Sequence, residues 1–374
     1  MGWSKHHKVG LIHHDNNQTE AGYTFFCNAT GMKSNDCYAF LIDMSGRVCH
    51  RWYRPEGIRH GYLLPNGNLL CRTRPPEQIN GLNPMPGSGE CLLEIDWDSN
   101  IVWQHYDQFL HHDFQRLGNG NTLILAWEEL PKDISKRILG GYDPRIEMDR
   151  MFGDVIHEIS PLNKVISTWR IWELLSFNED LICPLEDRRV WTHTNSIEFS
   201  SNGDFLLSHR QIDSVSILNS LSGQLKWKWG RGELSHQHDA RYLNNGLIQI
   251  FDNGTHRKGM SFSRIIWVNP ETNAIVWEYK SDPLDEFYSF HISGAQLLPS
   301  GNIFITEGAS GRLFEITSDG EIVWEYINPY FTRGINGFSN SIFKAHRYSR
   351  EYFGLANRVL ESEKDALFTR MYIS

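Results

Sequence analysis

Five histidines occupy the same place in a repeated pattern of this 374-residue sequence. Each opens a short run of mostly apolar residues that leads to a polar turn such as Asn-Gly. An imidazole near neutral pH can act as a nucleophile, a general base or a metal ligand. Chance would not place five of seventeen histidines at one register, so we predict a functional site from them. They are His60, His112, His193, His238 and His291.

Further polar residues accompany these histidines. Asn195 lies two positions after His193, on the same face of its strand, and Arg210 ends the same hairpin. A guanidinium group presents a planar set of donors that suits phosphate, sulfate or carboxylate. We therefore predict a small anionic substrate. Besides the catalytic residues, five others are predicted to bind this substrate: His60, His291, His346, Arg347 and Asp239.

A repeat of paired strands must position these side chains. Six segments, from CYAFLIDMSGRVCHRWY at Cys37 to GRLFEITSDGEIVWEY at Gly311, read as two strands around a polar turn and end in bulky aromatics. In five of the six units another hairpin precedes, and its first residue is one of the histidines. Four strands per unit are typical of propeller blades. The sequence predicts an all-β fold, a six-bladed β-propeller of four-stranded antiparallel blades.

The predicted blades make a single domain over residues 1–374. The first unit lacks a leading hairpin, so we expect a strand near the C-terminus to complete it and close the ring. The first strand of each blade lines the channel of a propeller, which would bring the five histidines together. The predicted blades are 22–53 with 339–349, 60–107, 112–173, 193–229, 238–279 and 291–327, with insertions at 128–152 and 173–189 and a tail at 350–374. The second insertion has a partly helical pattern.

Composition excludes several kinds of partner. A net charge of −9 and an even scatter of basic residues argue against nucleic acid. No apolar run approaches the roughly 20 residues of a membrane span, and none resembles a signal peptide, so we expect a cytoplasmic protein without a membrane partner. The six cysteines lack a C-x-x-C pair and are expected to be reduced. The sequence leaves the oligomeric state open.

Two stretches resemble the arylsulfotransferase family. They are WTHTNSIEFSSNGDFLLSHRQ from Trp191 and HQHDARYLNNGLIQIFDNG from His236, and HHDFQRLGNGNTLI and NSIFKAHRYSREY are similar to that family's blade starts and closing strand. The resemblance extends over most of residues 22–355. It implies a six-bladed propeller that moves a sulfuryl group from an aryl sulfate to a phenol through a sulfohistidine, without a cofactor. By motif, it implies His238 as the nucleophile, His193, Asn195 and Arg210 around the sulfuryl oxygens, and His112 assisting.

Two alternatives remain open from the residues alone. The first is a metal-dependent lyase or hydrolase acting on a small anion, with Mn²⁺, Zn²⁺ or Fe²⁺ held by imidazoles. Its ligands would be His60, His112, His193, His238 and His291. The second alternative is a propeller that binds a partner without catalysis.

Overall fold

The chain folds into two compact units. The computed structural model describes residues 8–29, 37–73, 85, 87–89, 91–142, 150–334, 337–356, 358 and 360–362. The first unit comprises Met1–Arg74, Cys91–Tyr106 and Ile292–Ser374, and the second comprises Pro75–Glu90 and Asp107–His291. Residues 143–149 of the first predicted insertion and 363–374 of the predicted tail lie outside the described residues.

The first unit begins with eight strands. The last four of them form an antiparallel sheet in chain order, β5-β6-β7-β8. The strands are β1 (Gly10–His14), β2 (Gly22–Cys27), β3 (Tyr38–Ile42), β4 (Val48–Tyr53), β5 (His60–Leu63), β6 (Leu69–Arg72), β7 (Cys91–Ile95) and β8 (Ile101–Tyr106).

The second unit contains three four-stranded antiparallel sheets, β9-β10-β12-β13, β15-β16-β17-β18 and β19-β20-β21-β22, and a parallel pair, β11 with β14. The strands of the first sheet and the pair are β9 (Leu110–Arg116), β10 (Thr122–Glu129), β11 (Gly140–Tyr142), β12 (Phe152–Ile159), β13 (Val165–Arg170) and β14 (Ile182–Asp187). The other two sheets are β15 (Thr194–Phe199), β16 (Asp204–His209), β17 (Ser214–Asn219), β18 (Leu225–Trp229), β19 (His238–Tyr242), β20 (Ile248–Asp252), β21 (Arg264–Asn269) and β22 (Ala274–Tyr279). Short helices are α1 (Lys132–Ser135) and the 3₁₀ turns Ile171–Leu174, Arg210–Ile212 and Leu284–Glu286.

The chain then returns to the first unit. Strand β29 pairs with β2, so the sheet order is β29-β2-β3-β4, and β1 adds a fifth strand to the sheet β26-β25-β24-β23. The strands are β23 (Gly294–Leu297), β24 (Ile303–Glu307), β25 (Arg312–Ile316), β26 (Ile322–Ile327), β27 (Thr332–Gly334), β28 (Gly337–Ser339) and β29 (His346–Ser349), with a 3₁₀ turn at Gly308–Ser310.

These sheets confirm the predicted fold class, an all-β, six-bladed β-propeller of four-stranded antiparallel blades. The pairing of β29 with β2 confirms that a C-terminal strand completes the first blade. The sequence did not predict the fifth strand β1, the hairpin β27–β28 or the pair β11–β14. Residues 173–189 contain the end of one 3₁₀ turn and strand β14, so the insertion is more extended than its partly helical pattern indicated.

Apolar residues of neighbouring blades pack face to face and hold the blades of each unit in place. In the second unit, Leu125 and Ile156 contact Ile197 and Leu207 of the next blade. Burial of such side chains contributes roughly 1.5–3 kcal/mol each, which fixes the strand ends that bear the polar residues. The helices of the described residues span about one turn each, and none of them has the length or hydrophobicity to cross a bilayer.

Candidate active site

The first strand of each blade in the second unit carries a β-bulge. In β9, His112 and Asp113 fall between the paired residues His111 and Phe114, where the partner strand β10 has none. The register also shifts at Asn195 in β15 and after His238 in β19. Bulges change the direction of a side chain and are frequent beside active sites. These shifts therefore lie at the positions where the sequence placed candidate residues.

The backbone is left-handed at or just before these bulges. The φ angles of His112, His193 and Asp239 are +40°, +51° and +52°. Such angles cost free energy in a residue with a Cβ and persist only where the surrounding structure imposes them.

Arg210 acts on several imidazoles of this unit. It begins the 3₁₀ turn after β16, and its positive charge disfavours protonation of nearby histidines. Burial, followed by the charge of Arg210, lowers the pKa of His238 to about 3 and that of His291 to about 4. The same two causes hold the pKa of His193 well below its usual value. The charge of Arg210 thus acts on three imidazoles of this unit and, together with burial, favours their neutral forms.

Hydrogen bonds fix the tautomer of His238. Its Nδ1 lies 2.8 Å from Oδ1 of Asn253 and 3.2 Å from the carbonyl oxygen of His236. The amide nitrogen of Asn253 donates to the carbonyl of Ser289 at 2.8 Å, which sets the orientation of the amide. Since both oxygens near Nδ1 can only accept, Nδ1 carries the proton. The lone pair of His238 is therefore on Nε2, the nitrogen a nucleophile would use.

A buried carboxylate orients a second pair of histidines. Nε2 of His111 lies 3.3 Å from Oδ1 of Asp154, and Nδ1 of His111 lies 3.0 Å from Nδ1 of His112. Burial by itself would raise the pKa of Asp154, but the contact with His111 and the bonds from Thr192 and the Thr194 backbone lower it to about 2. The ionised carboxylate attracts the proton of His111 to Nε2, so Nδ1 of His111 accepts from Nδ1–H of His112.

His112 also contacts His193 and a glycine. The ring centroids of His112 and His193 are 4.6 Å apart at 72°. The backbone N–H of His112 donates to the carbonyl of Gly87 at 2.9 Å, and a Cβ added at Gly87 would collide with the His112 ring. The short segment at residues 87–89 therefore holds this imidazole in place.

Asn195 lies at the start of β15, where it is buried. Its amide nitrogen donates to the carbonyl of Gln237 at 2.8 Å, and among the described residues its Oδ1 has no hydrogen-bond partner. An amide nitrogen has two protons, so one donor remains beyond the bond to Gln237.

The second predicted insertion reaches the same site through Glu186 of β14. Its Oε1 lies 2.9 Å from Nη1 of Arg210 and 3.7 Å from Nε2 of His236. Glu186 thus sets the position of the guanidinium and reduces the net charge around it.

Asp239, which was predicted to bind substrate, takes part in an ion pair of the second unit. Its carboxylate accepts from Nε of Arg241 at 2.6 Å, and the same guanidinium bonds Asp113 at 3.0 Å. This pair links β9 to β19 and stabilises the two bulged strands. That Asp239 also binds substrate stays a prediction.

The remaining predicted residues belong to the first unit. The ring of His60 lies 4.8 Å from that of Phe343 and 6.4 Å from that of His346. Arg347 is buried and pairs with Glu315 at 2.9 Å. These contacts are those of a core cation, and the substrate-binding role of Arg347 stays a prediction.

Sequence reasoning missed several residues that orient the predicted ones. His111 could have been found as the first histidine of the H-H-D run, and Asp154 as a carboxylate inside an apolar strand. Asn253 ends the hairpin that begins at His238, so its proximity follows from strand pairing. Nothing in the pattern indicated Gly87 or Glu186, because each approaches the site from an insertion or loop.

The fold and this group of residues define a class of protein: a β-propeller with imidazoles at the starts of the first strands of its blades and a guanidinium at the end of a leading hairpin. The sequence model of the family described as Arylsulfotransferase (ASST) matches residues 87–329, more than half of the chain. The chain belongs to this family, which supports a sulfotransferase activity in general terms.

Solved structures with a similar fold share little sequence with this chain. A protein of unknown function from Bacteroides caccae is 13% identical, with a TM-score of 0.56, over 87% of this chain and 99% of its own. A streptogramin B lyase structure is 11% identical over 90% of this chain and 97% of its own, with a TM-score of 0.47. The virginiamycin B lyase of Staphylococcus aureus is 10% identical over 86% and 88%, with a TM-score of 0.42. The first likeness concerns the fold alone, and the two lyases are too distant for any argument. No curated protein matches the chain.

Proposed function

We propose that this protein transfers a sulfuryl group from an aryl sulfate to a phenolic acceptor, with His238 as the nucleophile. Membership of the arylsulfotransferase family supports the general activity. The observation that supports the nucleophile is the bond from Nδ1 of His238 to Asn253, because it leaves the lone pair of the imidazole on Nε2.

In the first step Nε2 of His238 attacks the sulfur atom of the donor. A nitrogen–sulfur bond forms while the bond between sulfur and the aryl oxygen breaks, and the aryl oxide leaves with the electron pair of that bond. His112, protonated at this stage, gives its proton to the leaving oxygen. The carboxylate of Asp154, linked to His112 through His111, favours the protonated imidazole.

The second step regenerates the enzyme. The phenolic oxygen of the acceptor attacks the sulfur of the sulfohistidine, and the nitrogen–sulfur bond breaks to restore the neutral imidazole. The proton of the phenol returns to His112, so one residue serves as acid and then as base. Protons and charge balance over the two steps, and no cofactor is consumed.

Three side chains are proposed to hold the sulfuryl oxygens during transfer. Arg210 supplies the positive charge, His193 an imidazole donor and Asn195 the second proton of its amide. Negative charge on these oxygens increases as the group moves between its two partners, so fixed donors lower the barrier.

The test is a single-turnover reaction of the full chain with 4-nitrophenyl sulfate. We expect one equivalent of nitrophenol to appear before acceptor is added, together with a mass increase of one sulfuryl group on a peptide containing His238. His238→Asn should remove both signals, because an amide is a poor nucleophile. Addition of a phenol should then discharge the wild-type intermediate.

His157→Gln serves as the matched control. His157 lies on β12 of the same unit and bonds Thr168 at 2.8 Å. This variant should therefore keep the burst, that is, the equivalent of nitrophenol released before acceptor is added. A burst that survives in His238→Asn, or a sulfuryl group found on another residue, would contradict the assignment.

A further inference from the structure

We propose that Cys183, His236 and His256 form a metal site with the chemistry of zinc. Among the described residues, they are the one group in which three such ligand atoms lie within 4.8 Å of one another. This group differs from the histidines that the metal-dependent alternative would use. The three residues come from strand β14, the residues before β19 and the loop after β20.

The distances between the ligand atoms support this site. Nδ1 of His256 lies 3.5 Å from Sγ of Cys183 and 2.7 Å from Nε2 of His236. Ligands around a tetrahedral zinc ion are about 3.3–3.6 Å apart, given zinc–nitrogen and zinc–sulfur bonds of about 2.0 and 2.3 Å. The sulfur contact already has this length, and the two imidazoles would separate by about 0.6 Å when the ion binds.

The tautomer of His236 directs a lone pair into the group. Its Nδ1 lies 3.0 Å from the carbonyl oxygen of Arg210, which can only accept, so Nδ1 carries the proton. Nε2 is then the nitrogen that faces His256. A ligand histidine whose other nitrogen donates to a backbone carbonyl is the usual arrangement in metal sites, because that bond fixes the ring.

Backbone strain occurs at two of the three ligands. The φ angles of His236 and His256 are +56° and +64°, in the left-handed region that side chains rarely adopt. His236 is fully buried, whereas the side chain of His256 is 30% exposed. An ion could therefore enter from the side of His256 while His236 stays fixed.

Glu186 lies at the edge of the same group. Its Oε1 is 3.7 Å from Nε2 of His236 and 3.9 Å from Nδ1 of His256. A carboxylate or a water molecule can complete the coordination of zinc beside three protein ligands. Thiolate with imidazole favours zinc over magnesium or calcium, which prefer oxygen ligands.

The site would join the second insertion to the blade formed by β19–β22. Cys183 belongs to the insertion, whereas His236 and His256 flank the first hairpin of the blade. Since β14 also carries Glu186, a bound ion would fix the carboxylate that pairs with Arg210. The inference does not depend on sulfuryl transfer.

The test uses the full chain without a polyhistidine tag. Zinc per chain is measured after dialysis against a small excess of Zn²⁺, and Co²⁺ is titrated into the metal-free protein. We expect about one zinc per chain, and a cobalt spectrum with the charge-transfer band of a thiolate ligand. Cys183→Ser should lose this band, and both Cys183→Ser and His256→Gln should bind zinc at least about tenfold more weakly.

Cys49→Ser is the matched control, since Cys49 is a half-buried cysteine of strand β4. It should keep the band and the zinc affinity. A wild-type spectrum without the band, or one unchanged in Cys183→Ser, would overturn the metal site. Because these measurements need no substrate, they separate this inference from the proposed activity.

Discussion

The bond between His238 and Asn253 decides which nitrogen of one imidazole can react. A free imidazole exchanges its proton between Nδ1 and Nε2, so only part of the population has the lone pair on a given nitrogen. The amide of Asn253 is itself fixed by Ser289, at 2.8 Å. At the scale of a residue, this structure therefore selects both a tautomer and a ring orientation.

Replacing Asn253 by alanine should reduce the single-turnover rate on the order of a hundredfold, because Nδ1 loses its acceptor. Asn253→Asp is the matched comparison, since it keeps an oxygen at the same place and should retain more activity. The measurement is the rate of nitrophenol release under saturating 4-nitrophenyl sulfate. Equal rates for the alanine and aspartate variants would show that the acceptor is unimportant.

Single residues could be predicted from the sequence where they repeat. His112, His193 and His238 stand out because each opens a hairpin in a repeated unit. The ion pairs of Asp239 and Arg347 could not be predicted, since the sequence does not show which charged residue lies beside a buried carboxylate or guanidinium. Their bonds to Arg241 and Glu315 appear only in three dimensions.

Single elements differ from a regular propeller strand at their first residues. Strands β9, β15 and β19 all have register shifts near their starts. A regular strand alternates its side chains between two faces, whereas the extra residue of a bulge interrupts this alternation. The alternation of the sequence predicted the strands, but the bulges depend on contacts with segments distant in the chain.

Gly87→Ala should displace His112 and slow sulfuryl transfer at least about tenfold. The φ of Gly87 is +85°, and its missing Cβ leaves room for the imidazole. Gly120→Ala separates the two effects, because Gly120 has a φ of +87° but its Cβ would meet only Pro161 at 3.5 Å. Both variants should lose roughly 1 kcal/mol of stability to backbone strain. Only Gly87→Ala should also lose activity, because only its Cβ would displace His112.

The readout is the nitrophenol burst rate at matched folded fraction, with the folded fraction taken from circular dichroism. Similar burst rates in the two variants would mean that backbone strain, and not the displaced imidazole, controls the rate.

On the scale of the whole molecule, buried histidines make stability depend on pH. His209 bonds Thr194 at 2.9 Å and Ser216 at 2.7 Å, and burial lowers its pKa to about 4. In the unfolded chain a histidine has a pKa near 6.5. As the pH falls below 6.5 the unfolded state takes up the proton first, so stability that is present above this pH is lost towards pH 4.

At pH 5 this histidine alone should lower the free energy of unfolding by about 2 kcal/mol relative to neutral pH. Urea unfolding at pH 7 and pH 5 measures the effect. The free energy of unfolding of His209→Gln should depend less on pH than that of the wild type. His13→Gln, at an exposed position of β1, should keep the pH dependence of the wild type. An equal reduction of this pH dependence in both variants would refute the assignment to His209.

The propeller as a whole could be predicted because five of the six similar units show the pattern of four strands and the sixth lacks only part of it. Internal repetition tests every strand assignment several times, so errors at one hairpin do not alter the fold class. The insertions are not repeated, so no equivalent segment in another unit can be used to check their assignment. That is why the pair β11–β14, and with it Glu186 and Cys183, could not be assigned beforehand.

The pairing of β29 with β2 has a consequence for synthesis on the ribosome. Thr24 and Arg347, which bond across this pair, are 323 residues apart in the sequence. The sheet that contains β2 keeps an open edge until the residues of β29 have also been translated. Closing so long a loop is an entropically expensive late event, so we expect the first blade to stay incomplete in the nascent chain until β29 pairs with β2.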